Sequence, residues 1–123
     1  MSVKNNNLYN KENIFYKIIH GQIKSNKLYE DQELIAIQDL YPVAPIHFLV
    51  LPKDTYIDFE DFVKNATPEL ISHYYKMIQI LANKCGATEY RVLTNKGTSA
   101  GQTITHFHTH VIGGKKLGAL IGN

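Results

Sequence analysis

Residues 101–114 read Gly101-Gln102-Thr103-Ile104-Thr105-His106-Phe107-His108-Thr109-His110-Val111-Ile112-Gly113-Gly114, and three of the chain's six histidines fall within this stretch. From Ile104 to Ile112 the residue types predict a β-strand. Successive side chains of a strand point to opposite faces, so His106, His108 and His110 share one face while Phe107 and Val111 can pack on the other. Histidines satisfied in a core or turned to solvent are the plain alternative, but packing alone does not easily produce a strict period of two.

Two chemistries use such a row of imidazoles. One is a metal site, because neutral imidazole is a common ligand and alternate histidines can converge on one ion. The other is nucleophilic catalysis at phosphorus, in which a neutral ring nitrogen attacks and leaves a phosphohistidine that water cleaves. The flanking residues favour phosphorus. Gly97 and Gly101, with the small residues Thr98, Ser99 and Ala100 between them, let backbone N–H groups approach an anion, and Thr103 adds a hydroxyl. A loop of this kind suits nonbridging phosphate oxygens, whose charge must be stabilised in the transition state. Metal-bound imidazoles are usually oriented by carboxylates, and no Asp or Glu occurs from Tyr90 to the C-terminus, which leaves only the distant chain to supply one. A metal-dependent enzyme is therefore the lesser alternative.

Upstream, Tyr90 to Asn95 predicts a further strand, joined to the histidine strand by the Gly-bearing loop from Lys96 to Gln102. Before it comes the longest helix. Thr67 can cap, Pro68 suits the first helical position and Glu69 complements the dipole. Leu70, Ile71, Tyr74, Met77, Ile78, Leu81 and Cys85 then recur at helical spacing up to Gly86. His47 to Leu51 predicts a strand, preceded by the break Pro42-Val43-Ala44-Pro45 and ended by Pro52. Lys27 to Glu30, the turn Asp31-Gln32-Glu33 and Leu34 to Asp39 predict a hairpin. Asn13 to His20, with Ile14, Phe15, Ile18 and Ile19 at spacings of three and four ahead of Gly21, predicts a short amphipathic helix. Together these elements predict one α+β domain over residues 13–123, with residues 1–12 as a flexible tail. The expected sheet is antiparallel with about five strands, the long helix covering one face and the short helix at the edge.

At 123 residues the chain can bury one real core but not two. A hydrophobic fraction of 44% and a charged fraction of 20% are those of a globular protein and exclude disorder as the organising state. Cys85 has no partner for an internal disulfide and falls at an apolar helical position, which predicts a buried thiol in a reducing compartment. Met1 to Lys11 is polar and Asn-rich, and no run approaches the ~20 apolar residues of a membrane span, so the expected location is the cytoplasm. A net charge of +2 is too mild to argue for nucleic acid. A small molecule is the expected partner.

The stretch from His106 to Ile112 resembles the histidine triad (HIT) family, whose motif is His-apolar-His-apolar-His-apolar-apolar, with Thr109 as the one polar departure. The flanks Asn95, Gly101-Gln102-Thr103 and Gly113-Gly114 resemble the nucleotide-binding, or Hint, branch. So do Asn13-Ile14-Phe15-Tyr16-Lys17-Ile18-Ile19, Gln38-Asp39 and Ala44-Pro45-Ile46-His47-Phe48-Leu49-Val50-Leu51-Pro52-Lys53. The resemblance runs from Asn13 to Lys115.

It implies a hydrolase of purine nucleoside 5′-phosphoramidates or related AMP- or GMP-type derivatives, with His108 as the nucleophile that becomes nucleotidylated. His47, His106 and His110 would orient it, and Thr103, Gln102, Gly101 and Asn95 would lie near the phosphate. Asp39 would bind the ribose hydroxyls, while Phe15, Ile18, Ile23, Ile37, Gln38 and Leu40 would line the base pocket. Taken singly, Ile18, Ile23 and Ile37 also read as core, and Asp39 as a turn former at a strand end. His20 and His73 match nothing in the motif and read as surface residues. The resemblance further implies a homodimer. Some relatives hold zinc partly through Cys-x-x-Cys in the first helix; here Asn13 and Tyr16 stand at those positions, so no metal and no cofactor is expected. The ending from Lys115 to Asn123 lacks the Trp-Pro of many Hint proteins, a part that shapes leaving-group preference in that family. A nucleotide-binding scaffold with little turnover is the competing functional reading.

Overall fold

The computed structural model describes residues 8–121, which form α1 (Ile14–Ile19), β1 (Lys27–Glu30), β2 (Leu34–Gln38), β3 (Ile46–Pro52), α2 (Phe59–Asn65), α3 (Pro68–Lys84), β4 (Tyr90–Leu93) and β5 (Thr109–Gly113). The strands build one antiparallel five-stranded sheet in the order β1-β2-β3-β5-β4. This is the expected α+β architecture.

Local chemistry explains most boundaries. The β1–β2 turn closes because Asp31 Oδ1 accepts from the N–H groups of Glu33 and Leu34 at 2.7 and 2.9 Å. Thr67 caps α3 by accepting from the N–H of Leu70 at 3.0 Å, with Pro68 in the first turn. Helix α2 is an element the sequence reading lacks. Asp58 starts it by accepting from the N–H of Asp61 at 2.9 Å, and one buried ring, Phe62, anchors it. Seven residues are too few for a clear apolar period.

Both sheet faces are covered. On one, Leu34, Ala36, Phe48, Val50 and Val111 meet Phe62 of α2 and Leu70, Tyr74, Ile78 and Leu81 of α3. On the other, Phe15 and Ile18 of α1 pack on Ile35, Ile37, Leu49 and Leu51. The short helix thus lies on the second face and not at the edge, because β2 and β3 are apolar on both sides and both sides must be dried. Cys85 is only half-buried, since it is the C-cap of α3 and not one of its interior turns. Of the segment expected as a tail, residues 1–7 lie outside the described residues, as do Gly122 and Asn123; Tyr9 is half-buried against His106. No helix among the described residues is long and apolar enough to cross a membrane.

Candidate active site

The histidine row falls on the α1 face, and strand pairing begins only at Thr109, later than the expected Ile104. Ahead of β5 the period of two persists, because Phe107 points the other way into an aromatic cluster. Its ring stacks on Phe62 at 4.5 Å and lies 5.4 Å from Tyr74, and its N–H donates to the carbonyl of Tyr56 at 2.7 Å. A fully buried ring of this size contributes about 2–3 kcal/mol and fixes the backbone on either side of it. Thr109, the polar departure in the motif, also faces α3. Its hydroxyl bonds Tyr74 Oη at 2.9 Å and Thr94 Oγ1 at 3.0 Å, so a buried hydroxyl is satisfied where an apolar side chain was expected.

His108 is 9% exposed, and its Nδ1–H donates to the carbonyl of His106 at 2.8 Å. A carbonyl can only accept, so in the neutral ring the lone pair is on Nε2. Burial holds the pKa of His108 below the ordinary imidazole value, against opposing contributions from that carbonyl and from Asp39. His110 is pushed down to about 4, first by burial and then by the His108 and His47 rings beside it.

His47 stands diagonally across the β3–β5 ladder from His110, with Nε2 3.0 Å from His110 Nδ1 and 3.3 Å from Asp39 Oδ2. The N–H of Val43 donates to His47 Nδ1 at 3.1 Å, which puts the proton of the neutral ring on Nε2. His106 is fully buried and touches Phe15 edge-on.

Asp39, His47 and His110 bring their ligand atoms within 4.8 Å of one another, the one such group among the described residues. The tautomer argues against an ion there, because Val43 leaves no lone pair on His47 Nε2 unless the ring is deprotonated. The zinc site of some relatives does not fit either. Asn13 accepts from Tyr16 N–H and donates to Asn10 O, while the Tyr16 ring is stacked on His20 at 4.0 Å.

Beside the histidines lies a cavity of about 390 Å³, the size of a small-molecule pocket. All the residues expected at the base pocket line it: Phe15, Ile18, Ile23, Ile37, Gln38 and Leu40, with Asp39. Phe15 joins cavity to histidines, its ring centroid 4.8 Å from that of His108. Ile18 and Ile37 are both core and wall, whereas Ile23 is 39% exposed at the rim. Asp39 is also the turn former, since its Oδ1 accepts from Tyr41 N–H at 2.8 Å. Sequence reading missed Lys24, Ser25 and Asn26, which supply polar groups to the same cavity from an irregular stretch with no periodic signal.

The loop from Lys96 to Gln102 departs from expectation. The N–H groups of Ala100 and Gln102 donate to Gly97 O, that of Gly101 donates to Thr98 O, and that of Gly97 donates to Gln102 Oε1. These groups close the loop on itself and do not form an open anion cradle. The buried Gln102 amide also donates to the carbonyls of Ile57 and Ile104 at 2.8 and 3.0 Å, so its side chain is a strut of the loop. Thr103, exposed, and Asn95, half-buried beside Gly101, remain as side-chain donors. His73 pairs with Asp31 at 2.7 Å far from this site, and His20 lies on the surface.

Residues 20–117 match the family model described as the HIT domain. An uncharacterized HIT-like protein of Rickettsia prowazekii is 48% identical over 118 residues, covering 94% of this chain and 98% of that protein. Among solved structures, a HIT family hydrolase from Legionella pneumophila aligns with a TM-score of 0.84 at 31% identity, covering 90% of this chain and 100% of that one. A histidine triad nucleotide-binding protein from Candida albicans aligns with a TM-score of 0.77 at 29% identity, covering 91% and 84%.

Proposed function

The chain belongs to the HIT domain family, and on that premise we propose that it hydrolyses purine nucleoside 5′-phosphoramidates through a nucleotidyl-histidine formed on His108. The observation that carries this reading is the 2.8 Å bond from His108 Nδ1 to the His106 carbonyl, which leaves Nε2 as the nucleophilic atom. Burial keeps that ring neutral near pH 7, the form that can attack.

Nε2 forms a bond to phosphorus as the bond from phosphorus to the leaving amine breaks, and the amine departs with a proton. Water then attacks phosphorus, the phosphorus–histidine bond breaks, and the 5′-monophosphate and neutral imidazole are released. During the first step the His106 carbonyl stabilises the positive charge that spreads to Nδ1. His110, with a pKa of about 4, is neutral near pH 7 and is not a charged acid for the departing amine. The Phe15-walled cavity suits a planar base, and Asp39 at its border suits ribose hydroxyls, while Thr103 and Asn95 are the donors for phosphate oxygens. Similarity to a protein described as a hydrolase and to one described as nucleotide-binding supports the same assignment.

Incubation with an adenosine phosphoramidate labelled at the α-phosphorus should deposit label on His108. His108→Asn should fold and bind nucleotide yet lose activity by several orders of magnitude, as loss of a nucleophile does. Activity within tenfold of wild type would end the covalent reading. Binding without turnover by the wild-type chain would favour the scaffold reading. We also infer pairing of two copies through β4, an edge strand on which Val92 is 43% exposed; sedimentation velocity should give twice the chain mass.

A further inference from the structure

Tyr9 lies ahead of the first helix, in the segment expected as a flexible tail, yet its hydroxyl is 2.5 Å from His106 Nδ1. The ring is held edge-on against His106, with centroids 5.6 Å apart, and tilted against Tyr16 of α1 at 5.9 Å. On its other side, His106 Nε2 is 2.7 Å from the carbonyl of Pro52 at the end of β3. That carbonyl can only accept, so in the neutral ring the proton is on Nε2 and Nδ1 accepts the proton of Tyr9 Oη. Both ring nitrogens of a fully buried imidazole are then fixed, one by β3 and one by the segment preceding α1. The backbone of the same residue supplies the carbonyl that orients His108.

We propose that Tyr9 is a positioning residue for the nucleophile: its hydroxyl locks the His106 ring, and through the His106 backbone it holds the carbonyl that keeps His108 in the Nδ1–H form. The proposal rests on His108 being the nucleophile but adds a group that touches no substrate. Burial raises the Tyr9 pKa, so the phenol remains a donor throughout the working range. Phe15 spans the same region from α1, touching both His106 and His108, so the segment from Tyr9 to Phe15 braces the two histidines together.

The test pairs kinetics with imidazole ¹⁵N NMR on the full chain labelled at histidine. In wild type, His106 should show an unprotonated Nδ1 and His108 a protonated one. Tyr9→Phe removes one hydroxyl and keeps the ring; kcat per mole of folded protein should fall roughly tenfold, the scale of a small misplacement of a reacting group. KM for adenosine 5′-phosphoramidate should stay within about twofold, and the His108 signal should shift toward mixed tautomers. A wild-type spectrum with the His106 proton on Nδ1 would overturn the proposal even if the variant failed to fold. A Tyr9→Phe variant with wild-type kcat and an unchanged His108 tautomer would overturn it too, without touching the nucleophile assignment. Conversely, an active His108→Asn variant would remove the covalent reading while leaving the Tyr9 contact as an architectural one.

Discussion

At the scale of single residues the site is governed by which ring nitrogen carries a proton, and backbone groups set that for three of the rings, with the Tyr9 hydroxyl added at His106. His106 O fixes His108, Val43 N–H fixes His47, and Pro52 O fixes His106. The sequence places three imidazoles in a row but cannot say which carbonyl meets which nitrogen, since those partners come from residues up to 54 positions away. Burial is what lowers the His108 pKa, with the His106 carbonyl and Asp39 acting against it. The kinetic consequence is an acid limb. kcat/KM should be flat near neutrality and fall only as the pH drops below the ordinary imidazole value of ~6.5, since attack needs the neutral ring. A pH–rate profile with a phosphoramidate, corrected for acid hydrolysis of the substrate, checks this. A rate still rising at roughly pH 4, where a free imidazole is almost wholly protonated, would rule out neutral His108 as nucleophile.

At the scale of elements, legibility followed local chemistry. The β1–β2 hairpin and α3 were readable because Asp31 and Thr67 close them with bonds that span two or three residues. Helix α2 was not, because its support is tertiary, the burial of Phe62 under Phe107. Small residues suggest an anion cradle in the Gly-bearing loop because they permit backbone approach; in the structure its own carbonyls and Gln102 take up the N–H groups of Gly97, Ala100, Gly101 and Gln102. The residues that the family resemblance assigns to a base pocket line one cavity, whereas periodicity cannot separate a wall from a core residue such as Ile37. The strut role of Gln102 makes its own prediction. Gln102→Ala leaves the N–H of Gly97 and the carbonyls of Ile57 and Ile104 without these partners, so urea unfolding should show a loss of about 1–3 kcal/mol. A loss under about half a kcal/mol, the range of ordinary surface changes, would mean that water replaces the amide and the loop does not depend on it.

At the scale of the whole molecule, the sheet separates two tasks. Its α3 face is a core of aliphatic and aromatic side chains closed by Tyr74, whereas its α1 face carries the histidines and the cavity. A short helix leaves part of a sheet face uncovered, and that uncovered part is where a ligand can enter. Keeping titratable rings half inside such a face has a cost in acid. His110 has a folded pKa of about 4, below the ~6.5 of an imidazole in the unfolded chain, so the unfolded state binds the extra proton as pH falls. The stability that depends on the neutral ring is therefore complete above about pH 6.5 and is lost as pH falls toward 4, a total of about 3 kcal/mol. His108 adds in the same direction. Asp31 follows the opposite kind of shift: burial pushes its carboxyl up, but bonds from Tyr29, His73 and the Glu33 and Leu34 N–H groups outweigh this and hold it well below the usual range. Its contribution is present above the ordinary carboxylate value of ~3.9 and is lost only at lower pH, so the two windows separate. Urea unfolding at half-unit steps from pH 7 to 4 should show the loss beginning near 6.5, ahead of any carboxylate effect. His110→Asn should flatten that part of the curve; an equally steep fall in the variant would show that the acid sensitivity originates outside the histidine row.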